Sequence, residues 1–229
     1  MYALLARDTR LKPLDALRAF RRLMANPEDT RQIFSIFRAL RGRSVVKAFH
    51  RFQKSPIGAA VLRERRVLLN TLSDRAALSA LPAGSVGRTY FDFMEEEKLT
   101  ADGLVQASQD WDNDPMSPGM ALYRERMRDA HDLTHTVTGY GRDPLGEICL
   151  LAFMYAHSRN LGMAFIVAMS WRQLPKPARA AVREAWRNGK TARWMQDMDW
   201  EALLPRPLAD VRRESAIADP GLYRAAIAA

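Results

Sequence analysis

The chain has 229 residues, 48% of them hydrophobic with aromatics spread along it, enough for a real core and too apolar for global disorder. It carries 35 basic and 26 acidic residues, a formal +9, and the excess is confined to the front: residues 1–66 hold 16 Lys/Arg against 5 Asp/Glu (net +11), while residues 67–229 hold 19 against 21 (net −2). The single Cys149 excludes an intrachain disulfide framework and a cysteine-based zinc site and fits a reducing compartment; Arg7 and Asp8 come too early for a signal-peptide core.

Helix signals recur along the chain, and no stretch alternates long enough for a sheet. Asn26-Pro27-Glu28-Asp29 reads as a cap with a proline at the first helical position and two acids in the first turn. Ile33, Phe34, Ile36, Phe37 and Leu40 follow at helical spacing, and Gly42 can end that helix. Ser55-Pro56 opens a helix expected to carry Val61, Leu62 and Leu69. Ser85 caps another, with Val86, Tyr90, Phe93 and Met94 as one stripe. Glu95-Glu96-Glu97-Lys98 reads as an exposed helix end, and residues 111–117 (WDNDPMS) as a surface loop. Pro118 is expected to start one long helix through His131 to about Thr138, stopped by Gly139. Asp143-Pro144 then restarts the chain as a helix. The apolar stretch from Ile148 to Trp171 is interrupted by His157, Ser158, Arg159 and Asn160, leaving runs of about half the ~20 residues that a membrane span needs. Leu174-Pro175-Lys176-Pro177 precedes a helix ending near Gly189, and Pro205-Arg206-Pro207 a short final one. The expectation is an all-α single-domain bundle over residues 1–229, with basic helices over about 1–66 and a helical hairpin over about 118–158.

That hairpin carries the chemistry. In His131-Asp132-Leu133-Thr134-His135 the two imidazoles lie four apart and share a helix face, with Asp132 bordering it. Glu147 follows after eleven residues that contain a stop and a restart. His135 lies four before Gly139 and Glu147 four after Asp143, so in an antiparallel hairpin they stand level. Two imidazoles and two carboxylates suit zinc, iron(II) or manganese, and the carboxylates neutralise a divalent charge. Arg128, four before Asp132, is placed to partner a ligating carboxylate. The alternative is a surface histidine pair beside ordinary helix-turn carboxylates. His157 reads as a surface or capping histidine, not a fifth ligand.

HDxxH followed after eleven residues by Glu resembles the signature of the coenzyme Q biosynthesis protein 4 family. Arg126-Met127-Arg128-Asp129-Ala130 stands where that family usually reads Arg-Tyr-Arg-x-x. The segment Leu81 to Phe93 resembles its LPxGSxGxxYxxF stretch. Gly146-Glu147, Trp200-Glu201 and Leu208-Ala209-Asp210-Val211-Arg212 agree as well, so the resemblance runs from about Asp29 to Ile217. Met127 in place of Tyr and the Thr-rich tail of the motif helix depart from the pattern. With no mitochondrial presequence, the expectation is a bacterial member, cytoplasmic and peripheral on the inner face of the cell membrane.

The resemblance implies an all-helical protein with one metal ion, usually zinc, at His131, Asp132, His135 and Glu147, with catalysis acting through that metal. It implies a bound polyprenylated aromatic lipid, peripheral membrane association, other quinone-synthesis proteins as partners and a homodimer. The implied reaction is removal of the C1 carboxyl from a polyprenylated 4-hydroxybenzoate-type ring, with or without hydroxylation there; coupled oxidation would need iron or manganese, since zinc has no redox chemistry. The competing reading is a non-catalytic lipid-binding scaffold with a structural metal. The apolar segments after Glu147, with Met163, Phe165, Met169 and Trp171, are expected walls of the lipid site or ordinary core. The basic residues among Phe34, Phe37, Phe49 and Phe52 fit anionic lipid or a solvated face, and no nucleic-acid-binding signature accompanies them. A phosphohydrolase reading of the His131-Asp132 pair lacks its upstream histidine, since His50 is the remaining choice and has no carboxylate beside it in sequence.

Overall fold

Cap-and-proline pairs set the helix starts. The computed structural model describes residues 10–26, 29–108 and 116–228, and among them the chain forms sixteen α-helices and no strand. In order these are α1 (Pro13–Ala25), α2 (Arg31–Ala39), α3 (Ser44–Lys54), α4 (Pro56–Glu64), α5 (Leu68–Ser73), α6 (Arg75–Ser79), α7 (Val86–Glu96) and α8 (Gly103–Ala107). Then come α9 (Pro118–Asp129), α10 (His131–Thr138), α11 (Pro144–Ser158), α12 (Leu161–Trp171), α13 (Lys176–Thr191), α14 (Trp200–Leu203), α15 (Leu208–Glu214) and α16 (Gly221–Ile227). The Ser55, Ser85, Ser117 and Asp143 side chains each accept backbone N–H groups in the first turn of the helix that follows. Pro27 and Glu28 of the first cap signature, and residues 111–115 of the expected loop, lie outside the described residues.

Several expected boundaries move. Asn26 closes α1 instead of capping a helix, and α2 starts at Arg31 and ends at Ala39, before Gly42. Two helices follow Pro207 where one was expected. The helix from Pro56 ends at Glu64, because Arg65 turns left-handed (φ 54°) and Arg66 is drawn to Asp199 at 2.8 Å, so Leu69 belongs to a separate helix. The long helix from Pro118 breaks at Ala130 (ψ 0°), where no breaker residue stands and tertiary contacts override local propensity. Gly189 does not end α13 but lies inside it. A Cβ there would come 2.3 Å from the Phe153 carbonyl oxygen, so the glycine lets α11 and α13 meet backbone to backbone.

The main core is built from α7, α10, α11 and α13 with the C-terminal helices, around Leu133, Val137, Phe153, Val182 and Trp200. Two smaller clusters flank it. One joins α1 and α2 to α12 through Phe20, Ile36 and Ile166, and the other joins α3, α4 and α9 through Phe52, Val61 and Tyr123. Among the described residues, no helix is long and apolar enough to cross a membrane.

His157 is not at the surface. It is half-buried in the last turn of α11, its ring 5.1 Å from that of Phe153, and its Nε2 is buried without a hydrogen-bond partner. Burial, and then the charge of Arg51, push its pKa down to about 4. The folded chain therefore resists a proton that the unfolded chain accepts from about pH 6.5 downward. Stability should fall as pH drops from 6.5 towards 4 and level off below. Denaturant unfolding at pH 6.5 and 4.5 should show about 2 kcal/mol more acid loss for the wild type than for His157→Gln; equal losses would refute this.

Candidate metal centre

The HDxxH residues form the opening turns of α10, and their side chains are set by which face is packed. Leu133 and Val137 are fully buried in the core, which turns His131, Asp132 and His135 toward α11 and a cavity. His131 Nε2 and His135 Nε2 stand 3.1 Å apart, the rings edge to face, and Phe93 stacks on His135. His135 Nδ1 lies 2.9 Å from the Tyr140 carbonyl oxygen. An acceptor there requires the proton on Nδ1 and leaves the Nε2 lone pair facing His131. His131, Asp132 and His135 each bring one ligand atom to within 4.8 Å of the others, a group that can hold a metal ion. Glu147, in the first turn of α11, places Oε1 3.4 Å from His135 Nε2 and Oε2 3.8 Å from His131 Nε2. All four expected residues thus come to one place, with Glu147 bridging the imidazoles and Asp132 to one side.

The electrostatics fit a cation. Burial holds the His131 pKa low, helped by His135 and opposed by Glu147 and Asp132. Burial also works against the charged form of His135, but Glu147, which accepts from Nε2 once the ring is protonated, outweighs it by that bond and its charge and raises the His135 pKa. Glu147 is raised by burial, but its bond to His135 and the imidazole charges bring it below the ordinary carboxylate range. Two basic nitrogens and two carboxylates are thus gathered at one half-buried place, with carboxylate charge enough to balance a divalent ion.

The hairpin that holds them is fastened by residues far away in sequence. Gly139 takes φ +77° to end α10, and Arg212 of α15 donates to the exposed carbonyls of Val137 (2.8 Å) and Thr136 (3.1 Å). Tyr223 of α16 donates its hydroxyl hydrogen to Asp143 and accepts the Gly141 N–H at 2.9 Å. Arg126, buried in α9, grips Glu201 of α14 with two bonds of 2.7 and 2.6 Å. The Thr-rich tail of the motif is satisfied internally: Thr134, Thr136 and Thr138 donate to carbonyls four residues back. Arg128 departs from expectation. It donates to Asp129 at 2.9 Å and to Ser108 at 3.1 Å, so it braces α9 rather than Asp132. Residue spacing does not point to Arg212, Tyr223 or the Arg126–Glu201 pair, although the family-like segments contain Arg126, Glu201 and Arg212.

The cavity beside the histidines measures about 690 Å³. His131, Asp132 and Glu147 stand on its wall; Ile148, Leu151 and Met154 of α11 continue it, and Phe34 and Phe37 of α2 face them. Of the four residues expected as walls in α12, Met163 alone lines it. Phe165 and Met169 pack into the α1–α2 cluster and Trp171 against the main core. His50 lies with Lys47, Arg51 and Lys54 in a separate surface depression, so no further histidine joins His131 and Asp132 for the phosphohydrolase arrangement.

Residues 14–221 match the family model described as coenzyme Q (ubiquinone) biosynthesis protein Coq4. A zebrafish (Danio rerio) mitochondrial ubiquinone biosynthesis protein COQ4 homolog is 32% identical over 185 residues, 78% of this chain and 66% of that protein. The Neurospora crassa mitochondrial protein coq-4 is 27% identical over 169 residues, 72% of this chain and 47% of its own length. The chain thus spans about half to two thirds of the curated relatives it matches. A crystal structure of a candidate ubiquinone biosynthesis protein from Nostoc punctiforme has the same fold, with a TM-score of 0.65 at 18% identity, covering 92% of this chain and 100% of that one. The relatives' names overturn one expectation: they are mitochondrial proteins, which contradicts the placement at the inner face of a bacterial cell membrane. With most of its length matched, the chain belongs to the Coq4 family, which takes part in ubiquinone biosynthesis.

Proposed function

We propose that this chain binds a polyprenylated 4-hydroxybenzoate-type ring, with the ring at the His131–Glu147 centre and the tail in the adjoining cavity, and that it catalyses loss of the C1 carboxyl. The observation that carries this reading is continuity: three of the four expected ligands stand on the wall of one large cavity with apolar helix faces beyond them. An apolar tail leaving water for such walls gains about 0.8 kcal/mol per buried CH₂. His131, Asp132, His135 and Glu147 would hold the ion, which, when bound, supplies a Lewis acid for negative charge developing on the ring. The Tyr140 carbonyl keeps His135 in the tautomer that presents Nε2. The apolar walls exclude water and strengthen every charge interaction at the ring. In the simplest form the C1–carboxyl bond breaks, carbon dioxide leaves, the electron pair stays on the ring and a proton from water replaces it. The side chains of His131 and Glu147 are 33% and 35% exposed, which leaves a face for substrate and favours this role over a closed structural ion.

The test is purification under anaerobic conditions with metal analysis and mass spectrometry of co-purified lipid, alongside quinone synthesis in cells that depend on this protein. Stoichiometric divalent metal and a polyprenylated aromatic lipid are expected, with both metal and quinone lost in His135→Ala and Glu147→Ala. A well-folded protein free of metal and lipid, or unchanged quinone synthesis in the variants, would refute the proposal.

A further inference from the structure

Several arginines line the cavity, and they are not alike. The Arg128 guanidinium is taken up by Asp129 and Ser108. Arg142 stands on the same wall as His131, Asp132 and Glu147, but its nearest carboxylate, Glu97 Oε2, lies 3.9 Å from Nη1, beyond hydrogen-bond range. Its Nε is buried and makes no hydrogen bond. Burying a guanidinium donor without an acceptor is costly, so such a group is poised for an anion that supplies one. Its backbone is held fast as well. Gly141 and Asp143, on either side, are both bonded to Tyr223, and Asp143 also caps α11, so the arginine is presented from a pinned turn.

We infer that Arg142 anchors the ring carboxylate of the substrate, making the cavity selective for ring acids over the corresponding ring without the carboxyl. This rests on the function proposed above and adds to it a division of labour. The planar guanidinium fork matches a carboxylate in two parallel bonds, which a lysine cannot reproduce. Because the negative charge leaves the carboxyl as carbon dioxide forms, this contact weakens on the way to the transition state. It serves recognition, positioning and product release, while the His131–Glu147 centre meets the charge on the ring. Arg142 is therefore a positioning and specificity residue.

The test is direct titration of the zinc-loaded full chain with 3-geranyl-4-hydroxybenzoate and with 2-geranylphenol, the same ring without its carboxyl. The wild type should prefer the acid. Arg142→Gln should lose about 10- to 100-fold in affinity for the acid and little for the phenol, with zinc content and melting temperature unchanged. Arg142→Lys should recover part of the preference, and in turnover Arg142→Gln should raise KM far more than it lowers kcat. If the wild type prefers the acid and Arg142→Gln keeps the same preference, the assignment of Arg142 falls and the proposed function stands. If the wild type binds neither ring, both fall together.

Discussion

Replacing Glu201 with Ala should cost about 3–5 kcal/mol of folding stability, the largest loss expected from one side chain outside the metal centre. Arg126 is 1% exposed, and its guanidinium is held by the two Glu201 oxygens and a 3.4 Å contact with the Met198 carbonyl. Burial works against ionised Glu201, yet its bonds and charge contact with Arg126 outweigh that and hold its pKa low, so the pair is ionised when folded. Without the carboxylate a full positive charge remains beside Trp200 and Met198, where water cannot reach it. Thermal unfolding should show a drop of about 8–15 °C for a chain of this size. Glu201→Gln should lose less, because an amide oxygen still accepts one bond. The double variant Arg126→Met with Glu201→Leu should regain most of the loss, since no unpaired charge remains. A Glu201→Ala loss under about 1 kcal/mol would show that water screens the pair.

Gly146→Ala should strike the fold and the metal centre together. A Cβ at this position would sit 2.1 Å from the Gly141 carbonyl oxygen and 2.9 Å from Asp143 Oδ2, so the turn from Gly139 to Asp143 must move. Overpacking against backbone cannot be relieved by a rotamer change, and the expected cost is about 3 kcal/mol. The same shift carries the Tyr140 carbonyl away from His135 Nδ1, removing the contact that fixes the imidazole tautomer. Loss of such a supporting bond typically weakens metal binding by about 10- to 100-fold. Zinc competition against a chromogenic chelator, with unfolding measured on the same samples, should show both effects. Wild-type affinity in a destabilised variant would disconnect the turn from the centre.

What could be read beforehand was local. Ser55, Ser85 and Asp143 act within one turn of their own position, so their caps are visible in the order of residues. The meeting of His135 with Glu147 was legible for the same reason, because a four-residue offset on each side of one turn levels them. The break at Ala130 was not, since it answers to contacts made elsewhere. The Arg126–Glu201 pair spans 75 residues, Arg212 to Val137 also 75, and Tyr223 to Asp143 spans 80; no periodicity encodes such pairings. The polar neighbours of His157 in sequence suggest solvent, whereas in space its ring packs on Phe153 and feels the charge of Arg51.

Asp132 and Glu147 share one feature: each lies in the first turn of its own helix, α10 and α11. The unsatisfied N–H groups there give each helix about half a positive charge at that end. Two acids crowded at one cavity wall would ordinarily repel each other and demand nearby cations. Here the N-terminal ends of the two helices oppose that repulsion through the backbone itself. The backbone thus adds to the imidazole and Arg142 charges that favour the Glu147 carboxylate.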